Sequence, residues 1–260
     1  MRAALVLLLV SLLSCNRESG GAGGGGTLAE IVERGHMLVG IELGFEPFEG
    51  VDETGEYVGF DIDLARGFAK ELGVESRFVP MEWTALQTAL PTGKIDMIWS
   101  GMTSTVERSK RILFSDAYFR TRLYLLVHKD SGIASSADMK GKRLAVKLGT
   151  TGETAAANLF PECPRVPFDD ENLCATEVAT GRVDAFLYDR FSVERQHKAN
   201  AATTRIVTDV KGFEPYAVGL RPGDWALWRS LNLYLDKIRW DGRYAAIHSK
   251  HFGAPPDEPR

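Results

Sequence analysis

Residues 95–105 read Ile95-Asp96-Met97-Ile98-Trp99-Ser100-Gly101-Met102-Thr103-Ser104-Thr105. A short, mostly apolar run gives way to a polar turn, the pattern of a buried strand that ends in a loop. Working outward, the same alternation repeats. Apolar residues at 60, 62, 64, 65, 68, 69 and 72 keep a helical period, and Gly73 sits where a helix would stop. Residues 37–41 and 76–79 read as strands, 83–90 as a helix halted by Pro91, and 123–127 as a further strand. A second series follows: strand 144–146, helix 154–160, strand 165–168, helix 171–180, strand 183–187, helix 192–198, strand 205–207. Two such series predict an α/β protein of two lobes, each a mostly parallel sheet flanked by helices. Ligands are expected at the carboxyl ends of the strands. Residues 217–220 return to a strand and 225–240 and 243–251 to helices. This tail is expected to pack on the first lobe, so that the chain crosses between lobes twice, as a hinge requires.

Composition agrees with a globular chain. Of 260 residues, 44% are hydrophobic and 25% charged, ordinary for a soluble domain. The net charge of −4 offers no basic surplus to neutralise phosphates, which argues against nucleic acid as a partner. No stretch approaches the apolar length of a transmembrane helix.

The first 26 residues are expected to lie outside the fold. Arg2 precedes an apolar stretch over 3–13, which ends Leu12-Leu13-Ser14-Cys15. A basic start and a short apolar core mark a secretory signal over 1–14. The closing four residues resemble a lipoprotein box, in which Cys15 becomes the acylated N-terminus. Residues 15–26 include a glycine run and read as a flexible tether, with a reach of roughly 18 Å. The expected location is the periplasm or the extracytoplasmic face of a membrane, held there by lipid.

Several polar and aromatic residues fall at predicted strand ends. Glu42 and Phe45 follow the first strand, and Trp83 opens a helix after another. Gly101, Thr103 and Arg108 follow 95–99; Thr150 and Thr151 lie between a strand and a helix; Asp189 follows 183–187. Together they suit a small zwitterion. Arginine holds a carboxylate in a two-pronged fork, a helix N-terminus supports the same anion, aspartate answers an ammonium, and two rings flank the remainder. Taken singly, each has a plainer reading: Arg108 as a solvated charge, Asp189 and the threonines as helix caps, the aromatics as core.

The segment Tyr57-Val58-Gly59-Phe60-Asp61-Ile62-Asp63-Leu64-Ala65 resembles the signature of the extracellular solute-binding proteins of family 3, the amino-acid receptors of ABC importers. Residues 93–108, Phe114-Ser115-Asp116-Ala117-Tyr118, Gly141-Lys142-Arg143-Leu144-Ala145-Val146, Gly149-Thr150-Thr151, Gly181-Arg182-Val183-Asp184-Ala185 and Asp241-Gly242-Arg243-Tyr244 match in order. The resemblance implies a two-lobed periplasmic-binding-protein fold of type II, with lobe 1 built from 27–119 plus 216–260 and lobe 2 from 120–215. It implies that Arg108, Thr103 and the Thr151 N–H hold the ligand's α-carboxylate. Asp189, the Gly101 carbonyl and the Thr103 hydroxyl would hold its α-ammonium, with Phe45 and Trp83 beside its side chain. Asp61 and Asp63 would be structural. Glu42 stands where related receptors of basic amino acids carry an acid, whereas Lys147 would repel a cation and resembles glutamine-type receptors. Arginine is therefore expected first and glutamine second. The implied partners are a free amino acid, an inner-membrane ABC permease and the membrane itself through the lipid. The protein is expected to be a monomer and not an enzyme, with no cofactor or metal. The rival reading is a cyclohexadienyl or arogenate dehydratase on the same fold, which needs a general acid in the cleft.

Cys163 and Cys174 admit either a disulfide or two thiols. Strand 165–168 carries the chain roughly 16 Å away and the next helix returns only about 6 Å before Cys174, against the 7 Å limit for bridged Cα atoms. His248 and His251 share a helix face, with no third metal ligand in view.

Overall fold

The computed structural model describes residues 27–256; the expected signal, Cys15 and tether lie outside them. Two five-stranded sheets organise the chain. The first runs Glu75–Pro80, His36–Ile41, Met97–Ile98, Gly219–Leu220, Leu113–Phe114. The second runs Arg165–Phe168, Leu144–Lys147, Ala185–Asp189, Leu123–His128, Thr204–Val207. In each sheet four strands point the same way and one, Gly219–Leu220 or Leu123–His128, runs against its neighbours. Both sheets are thus mostly parallel, and both carry helices on their faces.

The helix Phe60–Leu72 shows how sequence sets this packing. It buries Phe60, Ile62, Leu64, Ala65, Phe68 and Ala69, each large apolar member contributing about 1.5–3 kcal/mol. It starts after Gly59, whose φ is 141° and whose Cβ, if present, would lie 2.1 Å from the Phe48 carbonyl oxygen. No other residue fits there. Gly73, at φ 72°, closes the helix in the left-handed region. The final helices Trp225–Trp240 and Arg243–Phe252 pack on this first half, with the Tyr234 hydroxyl donating to the Leu64 carbonyl at 3.0 Å.

Two short strands join the halves. Phe119–Thr121 leads out of the first sheet and Glu214–Tyr216 leads back, and they pair antiparallel with Thr121 opposite Glu214. An aromatic cluster surrounds them: Phe119 lies 5.0 Å from Phe48 and from Phe252, and 5.6 Å from Phe191 of the second half.

Several boundaries differ from the sequence reading for local reasons. The strand expected at 183–187 is Ala185–Asp189, because the N–H groups of Arg182 and Val183 turn back to the Glu177 carbonyl. The helix expected from 154 begins at Thr151, since the Thr150 hydroxyl accepts the Glu153 N–H at 3.3 Å. The strand expected over 95–99 is regular only at Met97–Ile98, and the Asp96 carboxylate takes the Leu38 N–H at 2.7 Å. Cys163 and Cys174 are both buried and unbridged; the Cys163 thiol donates to the Met139 carbonyl. His251 pairs with Asp63 rather than with His248, and no group of metal-ligating residues occurs among the described residues.

Candidate ligand-binding site

Strands from both sheets point their carboxyl ends into one cleft. Glu42, Phe45, Trp83, Gly101, Thr103 and Arg108 reach it from the first sheet, and Thr150, Thr151 and Asp189 from the second. All nine residues singled out in the sequence therefore line one cavity. Glu49, Ser100 and Tyr188 complete the wall.

Arg108 is not a solvated charge. Its short helix Val106–Ser109 is capped by the Thr105 hydroxyl, which accepts the Arg108 N–H at 3.1 Å. The guanidinium lies 5.2 Å from the Trp83 ring centre. It donates to the Thr103 carbonyl at 2.8 Å and, across the cleft, to the Gly149 carbonyl at 3.1 Å. Burial works against its charge, while Glu214 and Asp189 support it. The Trp83 indole N–H donates to the same Gly149 carbonyl at 2.8 Å. One carbonyl of the second half is thus held by two side chains of the first.

Phe45 packs against Phe48, Tyr188 and Tyr216, with ring centres 5.1, 6.1 and 6.3 Å away. It needs glycine at 101: a Cβ there would meet Phe45 Cε1 at 2.6 Å, and φ is 52°. Asp61 fixes this turn from behind, accepting the Gly101 N–H at 2.8 Å and the Tyr118 hydroxyl at 2.6 Å. Burial pushes the Asp61 carboxyl up to about 7.

Asp189 occupies the residue before the helix Arg190–Ala199, yet its side chain makes no cap bond. Its carboxylate instead accepts the Tyr216 hydroxyl from the returning crossing strand. Burial first, and then the neighbouring Glu214, raise Asp189 to about 8. Burial raises Glu214 also, against the pull of Thr103, Thr151 and Arg108. Glu214 Oε2 receives the Thr103 hydroxyl at 2.5 Å and the Thr151 hydroxyl at 2.6 Å. Two threonines, one on each side of the cleft, therefore meet on a single carboxylate in a crossing strand. Thr150 acts as the helix cap and donates to the Lys147 carbonyl at 2.7 Å.

Glu42 and Lys147 answer each other. Lys147 Nζ lies 2.7 Å from Glu42 Oε2, and both side chains are largely buried. Burial nonetheless raises the Glu42 carboxyl, outweighing the attraction of Lys147. The sequence reading missed Glu49, Glu171, Tyr188, Glu214 and Tyr216. Glu214 and Tyr216 lie more than a hundred residues from Thr103 and carry no periodic signal; only the pairing of the crossing strands brings them in.

The matching family model is that of the bacterial extracellular solute-binding proteins, family 3, over residues 37–254. The chain belongs to this family. As a family 3 solute-binding protein it is 30% identical to the L-cystine-binding protein TcyJ of Escherichia coli K12, over 88% of this chain and 87% of that one. It is 32% identical to the ABC transporter arginine-binding protein 1 of the same organism, over 82% and 89%. Among solved structures it resembles the ancestral amino acid-binding protein AncCDT-1, described as a precursor of cyclohexadienyl dehydratase. That match has 39% identity, TM-score 0.80, and coverage of 88% and 100%. A mutant of ArgBP from T. maritima matches with 37% identity, TM-score 0.81, and coverage of 87% and 99%. The solute-binding protein has the type II periplasmic-binding fold. No helix among its described residues is long and apolar enough to cross a membrane.

Proposed function

We propose that this family 3 solute-binding protein captures an L-amino acid, arginine first and glutamine second, between two closing lobes and delivers it to an inner-membrane ABC permease. The observation that carries this reading is the placement of a half-buried guanidinium, Arg108, in one cleft with a buried carboxyl, Asp189, one from each half. Arg108, Thr103 and the Thr151 N–H take the α-carboxylate. Asp189, the Gly101 carbonyl and the Thr103 hydroxyl take the α-ammonium, and Phe45 and Trp83 flank the side chain. Contacts to both halves at once favour the closed form, because a ligand shifts an equilibrium only by its differential affinity.

A cationic ligand is favoured by the carboxyl groups around the cleft, because a positive charge placed beside them favours their ionised form. The carboxyls of Glu42, Glu49, Glu171, Asp189 and Glu214 face three bases, Arg108, Lys147 and Arg195. Lys147 is engaged by Glu42, which removes most of its objection to a cation. The lobes are 27–119 plus 216–260 and 120–215, hinged at the crossing strands. Residues 1–14 are a signal, Cys15 carries lipid, and 15–26 tether a monomer to the membrane. Heating the protein with each of the twenty amino acids tests the reading. A ligand at a hundredfold excess over its Kd adds about 2.7 kcal/mol, or about 5–11 °C at this size. No shift with any of them contradicts it.

One observation favours a second reading. Asp189, raised to about 8, keeps its proton at neutral pH and so meets the requirement of a dehydratase for a general acid. Release of phenylpyruvate from prephenate would establish that activity; none supports the receptor.

A further inference from the structure

Resting on the amino-acid receptor reading, we propose that Glu49 is the residue that reads a cation at the far end of the ligand's side chain, a guanidinium by preference. Glu49 is wholly buried in the wall of the cleft. One of its oxygens accepts the Ser100 hydroxyl at 2.5 Å. The other, Oε2, is buried with no hydrogen-bond partner among the described residues. A buried carboxylate oxygen left unpaired is costly and calls for a partner.

The protein's own cations do not supply one. Lys147 is held by Glu42 at 2.7 Å. Arg195 is held by Glu171 at 2.5 Å and by the Gly44 carbonyl at 2.8 Å. Arg108 donates to the carbonyls of Thr103 and Gly149. The groups that act on Glu49 are acids and one hydroxyl: burial, Asp61, Glu42 and Glu171 all push its carboxyl well above the usual range, and only Ser100 opposes them. A guanidinium brings five N–H donors and a charge. It pairs with a carboxylate in a planar fork, which would satisfy Oε2 and offset the surrounding acids. Glu42, the acid that the sequence suggests for this task, is occupied by Lys147.

The experiment compares L-arginine with L-citrulline, its uncharged isostere, by calorimetric titration of the wild-type chain and of Glu49→Gln. Wild type is expected to prefer arginine by at least about tenfold. Glu49→Gln is expected to bring the two ligands within about threefold, by weakening arginine while citrulline binding stays near its wild-type value. Retained citrulline binding also shows that the variant is folded; Glu49→Asp, with its charge kept, should restore part of the preference. A wild-type preference that survives Glu49→Gln, or an equal loss of both ligands, overturns the assignment. Binding of neutral amino acids without any cationic one overturns it while leaving the receptor standing. Binding of no amino acid overturns both.

Discussion

Capture of an amino acid should expel a proton. Asp189 is raised to about 8 by burial and by Glu214, and Glu214 is itself raised by burial. In the free cleft the pair therefore holds a proton at neutral pH. An α-ammonium placed at Asp189 reverses the balance, because a positive neighbour favours the ionised carboxyl. An acid that titrates at about 8 is about nine-tenths protonated at pH 7, so binding there should release about 0.9 proton. The ionised fraction rises from about 0.01 at pH 6 to about 0.5 at pH 8, and affinity should climb about fiftyfold across that range. The assay is calorimetry at pH 7 in buffers of different ionisation enthalpy, such as phosphate and Tris. The slope of observed heat against buffer enthalpy counts the protons. A slope near zero, with affinity flat from pH 6 to 8, would refute the reasoning. It would mean that Asp189 is already ionised in the free protein.

The same acid should limit stability. Its folded pKa lies above its unfolded value, so the folded form binds the extra proton and stability falls as pH rises from about 4 to about 8. Asp189→Asn keeps an acceptor for the Tyr216 hydroxyl and removes this loss. The variant should be more stable than the wild type at pH 7.5, with a higher melting temperature, while losing ligand binding; a lower melting temperature contradicts this account. Gly59→Ala should cost about 2–4 kcal/mol in urea unfolding, because the added Cβ meets the Phe48 carbonyl at 2.1 Å. A loss under about 0.5 kcal/mol would show that the turn has another route.

Much of the fold was legible because it rests on local signals. The helix Phe60–Leu72 is written in its spacing and in Gly73, and the alternation of strands and helices fixes which strand ends share a cleft. Arg108, Thr151 and Asp189 could be chosen on that logic. What was hidden depends on partners distant in the chain. Glu214 and Tyr216 follow no amphipathic pattern, and their meaning arises only when Glu214–Tyr216 pairs with Phe119–Thr121. Glu49 reads as one more loop acid until its burial beside Ser100 is seen. Lys147 shows the same limit: its charge was visible in the sequence, but Glu42, 105 residues earlier, was not visible as its partner. For Asp189 a helix cap stood as the plainer reading beside the ligand contact, and its carboxylate turns towards Tyr216 instead of capping the helix.

The central claim is that the cleft holds an amino acid by its carboxylate on Arg108. Calorimetric titration of L-arginine into the wild-type chain and into Arg108→Ala tests it most directly. The account predicts one site per chain in the wild type and no detectable binding in a variant that still melts cooperatively. Equal affinity in the two proteins would contradict it.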